Sequence, residues 1–222
     1  GDSAAREASV ALLGFGQIGQ ALVAQMAPWL GEPRAEPSGQ RGGQLRCVAV
    51  IDRSGLRLSE VGFSQAELVQ LREDKRSRAP GAQGSNNAST SPPLALAQVG
   101  ALLRERLLSL PFRRPVLVDL TAAETAPLLL EALRKGCHVV LANKKPLAVP
   151  LSLYDELRAA AAERGLSLRY EATVGAGLPV LDTIDKLHEA GDTIERVEGC
   201  LSGTLGFLMQ QLEEDVPFSE AV

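Results

Sequence analysis

Three glycines near the amino end of the chain, Gly14, Gly16 and Gly19, have the spacing G-x-G-x-x-G. They follow the apolar stretch 9–13 and precede an amphipathic stretch, so the pattern predicts a strand, a tight turn and a helix. In that context the first glycine permits the turn, the second lets a pyrophosphate approach the backbone, and the third lets the helix pack closely against the strand. The free N–H groups at the helix end attract phosphates. The pattern therefore predicts a dinucleotide-binding turn, and the alternative is a plain strand–helix turn.

An acidic and a basic residue, Asp52 and Arg53, come at the end of the second predicted strand, 45–52. A carboxylate at this position is suited to the ribose hydroxyls of a dinucleotide, and a guanidinium is suited to a 2′-phosphate. The pair lies farther from the glycines than the usual distance of about 20 residues, which the Pro- and Gly-rich loop 31–44 explains. NAD and NADP therefore both stay open, and the alternative is a solvated pair without a ligand.

Two adjacent lysines, Lys144 and Lys145, follow the predicted strand 137–142. Ligands of parallel sheets bind beyond the carboxyl ends of the strands. Two cations at such a place indicate a phosphate, carboxylate or carbonyl partner. The alternative is that one lysine faces solvent and the other caps a helix.

A glycine-rich turn, 170–179, contains Glu171 and leads into a helix that Pro179 can begin. Carbonyl oxygens of such a turn, together with a carboxylate, can hold a hard cation. From the residues alone, an ordinary turn is the simpler interpretation.

Strand-like and helix-like segments alternate along most of the chain, which is typical of an α/β protein with a doubly wound parallel Rossmann-type sheet. The polar run 72–93 predicts a mobile loop insertion whose basic residues face solvent. The basic residues of that run are Arg72, Lys75, Arg76 and Arg78. The first predicted helix has an apolar face that consists of Ile18, Leu22, Met26 and Leu30. Four further strands are predicted, at 115–120, 137–142, 167–173 and 194–201.

Composition limits the partners of this 222-residue chain, which has a formal net charge of −4. That charge gives no reason to expect nucleic acid or an anionic membrane as partner. No apolar run of about 18 residues predicts a membrane span, and no signal-peptide pattern precedes the first strand. Cys47, Cys137 and Cys200 lie in apolar runs without C-x-x-C spacing, which predicts buried free thiols in a reducing compartment. We therefore expect a cytoplasmic protein, or a plastid stromal one since the chain does not begin with Met.

Several motifs in one order resemble homoserine dehydrogenase: GFGQIG, VLVDLTA, LANKKPL, YEATVGAGLPV, AGDTIERVEG and CLSGTLGFL, spread over residues 9–208. The last three are far more specific to that family than the glycines are. The resemblance implies an oxidoreductase that uses NADP, or NAD, to interconvert L-aspartate 4-semialdehyde and L-homoserine in threonine, isoleucine and methionine biosynthesis. It also implies a small-molecule substrate and a homodimer in the full-length protein.

The resemblance further assigns roles to individual residues. Lys144 corresponds to the family's active-site lysine near nicotinamide and substrate, and Thr204 would lie by the substrate. The glycine-rich turn 170–179 would hold a monovalent cation such as sodium. The remaining assignments are the pyrophosphate contacts Gly14, Phe15, Gly16, Gln17, Ile18 and Gly19, the ribose-end residues Asp52 and Arg53, the nicotinamide-side Thr121, and the cation ligands Glu171, Val174, Ala176 and Leu178.

The resemblance predicts two domains: an NAD(P)-binding domain over 1–170 and the incomplete beginning of an α+β catalytic and dimerisation domain over 171–222. The family's later segment, with its catalytic Asp and Lys, has no counterpart in this sequence, so the chain alone is expected to need residues it does not contain. Two alternatives are a non-catalytic NADP-binding fragment or pseudoenzyme, and another Rossmann amino-acid dehydrogenase.

Overall fold

A computed structural model of the protein describes residues 7–30, 43–77, 95–107 and 109–221. The chain divides into two compact units, 1–168 and 169–222. The first unit carries the sheet and the second is largely helical, and each is described by itself.

A six-stranded sheet with the order β3-β2-β1-β4-β5-β6 forms the centre of the first unit. β1 pairs in parallel with β2 and β4, β4 pairs in parallel with β5, and β3 runs antiparallel to β2. This topology confirms the predicted Rossmann-type sheet, with one antiparallel strand added at its edge. The strands are β1 (Glu7–Leu13), β2 (Gln44–Asp52), β3 (Gly55–Leu58), β4 (Pro115–Asp119), β5 (His138–Leu141) and β6 (Leu168–Arg169).

Helices connect the parallel strands and continue into the second unit. Short helical turns at Ala27–Trp29, Lys145–Leu147 and Glu171–Thr173, and a wider one at Leu103–Leu107, complete the described helical structure. The helices are α1 (Gln17–Met26), α2 (Gln65–Ser77), α3 (Leu96–Leu102), α4 (Ala126–Arg134), α5 (Leu151–Glu163), α6 (Val180–Glu189), α7 (Gly203–Glu213) and α8 (Phe218–Ala221).

The core of the first unit consists of apolar strand residues covered by helices. The central strands are almost continuously buried, as expected for a parallel sheet with helices on both faces. α4 contributes several fully buried side chains, among them Leu129 and Leu133. The core therefore fixes the carboxyl ends of β1, β2, β4 and β5 along one edge of the sheet, where the predicted cofactor-binding residues lie.

The predicted apolar face of α1 is confirmed for Met26, which is buried, and for Leu22 and Leu30, which pack against the core, but not for Ile18. Gly19, Val23 and Met26 are the buried residues of this helix, whereas Ile18 is 59% exposed. The helix also ends at Met26, before the predicted Leu30. Gly19 packs against the glycine turn, since a Cβ there would lie 2.7 Å from the Gly14 carbonyl oxygen, whereas the neighbouring Ile18 is exposed.

The predicted loop insertion 72–93 is wrong over its first part, because residues 72–77 belong to α2. Ser64 and Glu67 begin this helix with a capping box, in which the Glu67 carboxylate accepts from the Ser64 N–H and the Ser64 hydroxyl accepts from the Glu67 N–H. Strong helix formers continue it although they show no apolar period. Residues 78–93, with Arg78, and residues 31–42 of the predicted loop 31–44 lie outside the described residues.

The second unit contains no strand at 194–201, where the sequence predicts one. A strand requires a paired neighbour, and after β6 the described residues of this unit form no other strand. Cys200 is exposed, contrary to prediction, whereas Cys47 and Cys137 are buried as predicted. The predicted strand 167–173 is likewise reduced to Leu168–Arg169. None of the helices described is both long and apolar enough to cross a membrane.

Candidate functional site

The glycine turn joins β1 to α1 with no room for side chains on its inner face. Gly14 has φ +101°, and a Cβ there would lie 3.0 Å from the backbone of Leu120. A Cβ at Gly19 would lie 2.7 Å from the carbonyl oxygen of Gly14. At Gly16, by contrast, a Cβ would meet no atom within 4 Å, so its backbone faces open space at the start of α1. This cradle fits a pyrophosphate, because two glycines close the turn and the third leaves the helix N-terminus accessible.

A groove of about 790 Å³ runs from the glycine turn past the end of β2 to α2. Its lining has five basic side chains and two acidic ones, so it favours an anionic ligand. Three predicted pyrophosphate residues and both predicted ribose-end residues line it. The lining includes Phe15, Gly16, Gln17, Gln20, Asp52, Arg53, Arg57, Arg72, Asp74, Lys75 and Arg76.

Asp52 is held at the groove wall by Lys75. The Lys75 Nζ lies 2.6 Å from Asp52 Oδ2, and the Ser54 N–H donates to Asp52 Oδ1 at 2.7 Å. Burial raises the pKa of Asp52, but the hydrogen bonds from Lys75 and Ser54 outweigh it and hold the pKa below its ordinary value. The carboxylate is therefore ionised and already paired. The prediction that the basic residues of the run 72–93 face solvent is wrong for Lys75, which pairs with Asp52, whereas Arg76 is exposed as predicted.

The carboxyl ends of β4 and β5 are joined by buried hydrogen bonds. Asp119, fully buried at the end of β4, accepts hydrogen bonds from the Thr121 hydroxyl at 2.8 Å and from Asn143 Nδ2 at 3.0 Å. Thr121 also borders the glycine turn, since its Cγ2 lies 3.2 Å from the place of a Cβ on Gly14. The structure thus brings the predicted nicotinamide-side threonine next to both the glycine turn and the residue preceding Lys144.

The two lysines after β5 differ in their surroundings. Lys145 begins the short helical turn Lys145–Leu147 and its Nζ lies 3.2 Å from Glu124 Oε1. Lys144 is exposed, and among the described carboxylates none forms an ion pair with it. The Lys144 ammonium is therefore without an ion pair among the described carboxylates, whereas Lys145, which is also exposed, forms a surface ion pair with Glu124.

In the second unit, Glu171 caps α6. Its Oε1 accepts from the Leu181 N–H at 3.0 Å and its Oε2 from the Asp182 N–H at 2.8 Å. The carbonyl of Leu178 accepts from the Val180 N–H at 2.9 Å. Two of the four predicted cation ligands, Glu171 and Leu178, thus already accept hydrogen bonds within the chain, and the cation site stays a prediction.

Two further predicted cation ligands, Val174 and Ala176, belong to the same turn. Ala176 has φ +52°, and Gly175, the only buried residue described in the second unit, has φ +67°. The turn therefore has a defined, partly left-handed backbone. Within the described residues, no group of three or more His, Cys, Asp and Glu is arranged for a metal ion.

Thr204 lies in the first turn of α7 and is exposed. Ser202 caps this helix, because its side chain accepts from the Leu205 N–H at 3.2 Å. The assignment of Thr204 to the substrate stays a prediction.

Sequence reasoning missed Lys75, Asp119 and Asn143. Lys75 is 23 residues from Asp52 in a polar run, and no local pattern joins the two. Asp119 offered a signal, since it is an acidic residue inside the apolar run of β4. Asn143 lies in the LANKKPL motif, and its residue type alone did not predict its buried hydrogen bonds.

Comparisons with known proteins agree with this geometry. Residues 14–171 match the sequence model described as "Homoserine dehydrogenase, NAD binding domain", and residues 179–222 match the one described as "Homoserine dehydrogenase". The chain is 32% identical over 96% of its length to the chloroplastic bifunctional aspartokinase/homoserine dehydrogenase 2 of Zea mays, of which it spans 21%. It is 48% identical over 43% of its length to the homoserine dehydrogenase of Emericella nidulans, of which it spans 26%.

Solved structures share the fold. A hyperthermophilic archaeal homoserine dehydrogenase in complex with NADPH superposes with a TM-score of 0.67, at 24% identity, over 97% of this chain and 59% of that one. The enzyme from Thermoplasma acidophilum gives a TM-score of 0.64 at 19% identity, over 97% and 58% of the two chains. The chain thus spans less than two thirds of these structures and about a quarter or less of the two relatives above.

Proposed function

The chain belongs to the homoserine dehydrogenase family, and we propose on that premise that it carries the cofactor half of an enzyme that interconverts L-aspartate 4-semialdehyde and L-homoserine. This reaction belongs to the aspartate route to threonine, isoleucine and methionine. The observation that carries the proposal is the meeting of the open glycine turn, Thr121 and the Lys144 loop at one edge of the sheet. In this proposal residues 1–170 form the cofactor domain and residues 171–222 open the substrate and dimerisation domain of a homodimer.

NADP is the proposed cofactor, in preference to NAD. The N–H groups at the start of α1, with Phe15, Gly16, Gln17, Ile18 and Gly19, would hold the pyrophosphate. When bound, the cofactor supplies or accepts a hydride at nicotinamide C4. Its 2′-phosphate would lie by Arg53.

The ion pair of Asp52 with Lys75 supports this choice. An unpaired carboxylate at the end of β2 would repel a 2′-phosphate, but Lys75 Nζ lies 2.6 Å from it and offsets its charge. The excess of basic side chains in the groove adds to this attraction. We therefore expect Lys75→Met to weaken NADPH binding more than NADH binding.

Lys144 is the proposed catalytic residue. An ammonium beside the carbonyl of the semialdehyde stabilises the negative charge that develops on its oxygen, and it can assist the proton transfer that accompanies reduction. Its exposure and lack of an ion pair among the described carboxylates support this role, whereas the pairing of Lys145 with Glu124 argues against the second lysine.

In the second unit, Thr204 is the proposed substrate contact, and a monovalent cation is the proposed ligand of Glu171 and the turn carbonyls. The support for both is the resemblance of the 170–179 and 200–208 motifs to the family. In addition, the turn carries carboxylate and carbonyl oxygens, the donors that hard cations prefer.

The test combines NADPH titration by fluorescence with a measurement of homoserine-dependent NADP⁺ reduction. Lys144→Ala is expected to abolish turnover in a longer protein that contains this chain, while NADPH affinity stays within a few-fold. Lys145→Ala is the matched control and is expected to keep turnover. Normal turnover of the Lys144 variant would refute the catalytic assignment. Absence of NADPH binding by the wild-type protein would refute the cofactor site itself.

A further inference from the structure

The Asp119 side chain is buried, and the hydrogen-bond donors around its carboxylate are neutral. It is 0% exposed. Its Oδ1 accepts from the Thr121 N–H at 3.0 Å and the Thr121 hydroxyl at 2.8 Å, and its Oδ2 accepts from the Thr125 hydroxyl and from Asn143 Nδ2 at 3.0 Å. Burying a carboxylate is unfavourable unless its oxygens are satisfied in this way. The group is therefore held in one position by residues from two different loops.

Asn143 connects this buried carboxylate to the loop that carries Lys144. Its Nδ2 also donates to the carbonyl of Ala123 at 2.8 Å, and its Oδ1 accepts from the Lys145 N–H at 3.1 Å. Because Asp119 and Ala123 offer only acceptors, the amide cannot be turned over without breaking these bonds. The Asn143 N–H in turn donates to the backbone carbonyl of Asp119 at 3.3 Å.

Lys144 is thus fixed through its backbone on both sides. The residue before it is tied to Asp119, and the N–H of the residue after it is tied to Asn143. Its own carbonyl accepts from the Leu147 N–H at 3.1 Å. The side chain has no ion pair among the described residues, so its location depends on this backbone frame.

We propose that Asp119, acting through Asn143, is a positioning residue that sets Lys144 and Thr121 in a fixed relation at the nicotinamide end of the cofactor site. One buried carboxylate is bonded to both loops, so the backbone that carries Lys144 and the Thr121 side chain cannot shift independently. The inference rests on the proposed function, because it takes Lys144 to lie near the bound nicotinamide.

The experiment measures acylation of Lys144 by mass spectrometry, with and without NADPH, using the neighbouring Lys145 as internal reference. At ten times the Kd, a ligand that covers Lys144 slows its acylation by about tenfold. The variant is Asp119→Asn, which keeps the volume but replaces an acceptor with a donor. We expect protection of Lys144 to fall below about twofold while the Kd for NADPH, measured under the same conditions, changes by less than about threefold.

Thr125→Val is the matched control. It removes a hydroxyl that donates to the same buried carboxylate and lies 3.2 Å from Asn143 Nδ2, but it keeps the hydrogen bonds from Asn143 to Asp119 and Ala123 and from the Lys145 N–H to Asn143. We expect a lower melting temperature with protection of Lys144 retained. Should Asp119→Asn not fold, Asn143→Ser, which breaks the same chain of bonds at a smaller residue, provides the measurement.

Two results would overturn the inference: full protection of Lys144 in the Asp119 or Asn143 variant, or equal loss of protection in the Thr125 control, which would indicate a merely structural cluster. A wild-type protein that binds no NADPH, or that binds it without protecting Lys144, would instead contradict the proposed function. The two failures are therefore distinguishable.

Discussion

The two units of this chain differ in where their apolar side chains lie. The first unit has an extensive core of buried apolar residues between a parallel sheet and its helices, although Ile18, Val61 and Leu151 are exposed. In the second unit Gly175 is the only buried residue described, and α7 exposes Leu205, Phe207 and Met209. The first unit is therefore stabilised by a core of its own, whereas the described helices α6 and α7 of the second unit have capping hydrogen bonds but no buried side chains.

Thiol reactivity gives the largest expected contrast between the units. Burial raises the pKa of Cys47 to about 12 and that of Cys137 to about 11, so at pH 8 only about one thiol in 10⁴ and one in 10³ is ionised. Cys200 is exposed. We expect iodoacetamide to modify Cys200 in the native protein and all three cysteines after denaturation, as measured by mass spectrometry. Rapid labelling of Cys47 would show that the first core opens readily.

Truncation of matched leucines in two helices tests the cores directly. Leu129 in α4 is 0% exposed and Leu205 in α7 is 57% exposed. Leu129→Ala is expected to lower the free energy of unfolding by about 2–5 kcal/mol, because it leaves a cavity. Leu205→Ala is expected to change it by less than about 0.5 kcal/mol. Urea denaturation followed by circular dichroism gives both values, and equal losses would contradict the contrast.

The two glycine-rich turns provide the next comparison. A Cβ at Gly16 or at Gly177 would meet no atom within 4 Å, so alanine at either position leaves the fold intact. Gly16→Ala is expected to weaken NADPH binding by about tenfold, or about 1.4 kcal/mol, since the added methyl group lies in the pyrophosphate cradle. Gly177→Ala is expected to leave it unchanged. Fluorescence titration with thermal melting as a folding control measures both, and an unaltered affinity for the Gly16 variant would argue against the cradle.

The smallest expected effect is the pH dependence that His138 adds to the first unit. Partial burial, together with the charge of Arg114, lowers the pKa of His138 below its ordinary value of 6.5. Its Nδ1 accepts from the Ser167 N–H at 3.0 Å, which requires the neutral ring. Because the unfolded chain binds the proton more readily, this contribution to stability is present above pH 6.5 and is lost as the pH falls toward the lower folded-state pKa.

Replacement of His138 therefore flattens the dependence of the melting temperature on pH between about 7 and 5. His138→Gln is the test variant, and His188→Gln in the exposed end of α6 is the control. The change is expected to be small because it depends on a single, only partly buried ring. An identical pH dependence in the wild type and the His138 variant would refute the role of this ring.

Much of the first unit could be predicted, because its signals are local. Apolar runs of five to eight residues predicted β1, β2 and β4. The polar end of α2 was misread, since a helix of charged helix formers has no apolar period. The expected strand 194–201 was wrong for a different reason: pairing depends on a neighbour that no local pattern reveals.

The features of the candidate site likewise fall into those that local sequence patterns predict and those that depend on tertiary contacts. The sequence by itself determined the glycine turn, the order of the strand ends and the family, because each depends on residue types at short spacing. Only the tertiary structure decided that Lys75 neutralises Asp52 and that Asp119 and Asn143 join the Thr121 and Lys144 loops. Those contacts link residues about 20 positions apart, and they exist because the parallel sheet brings the carboxyl ends of its strands to one edge.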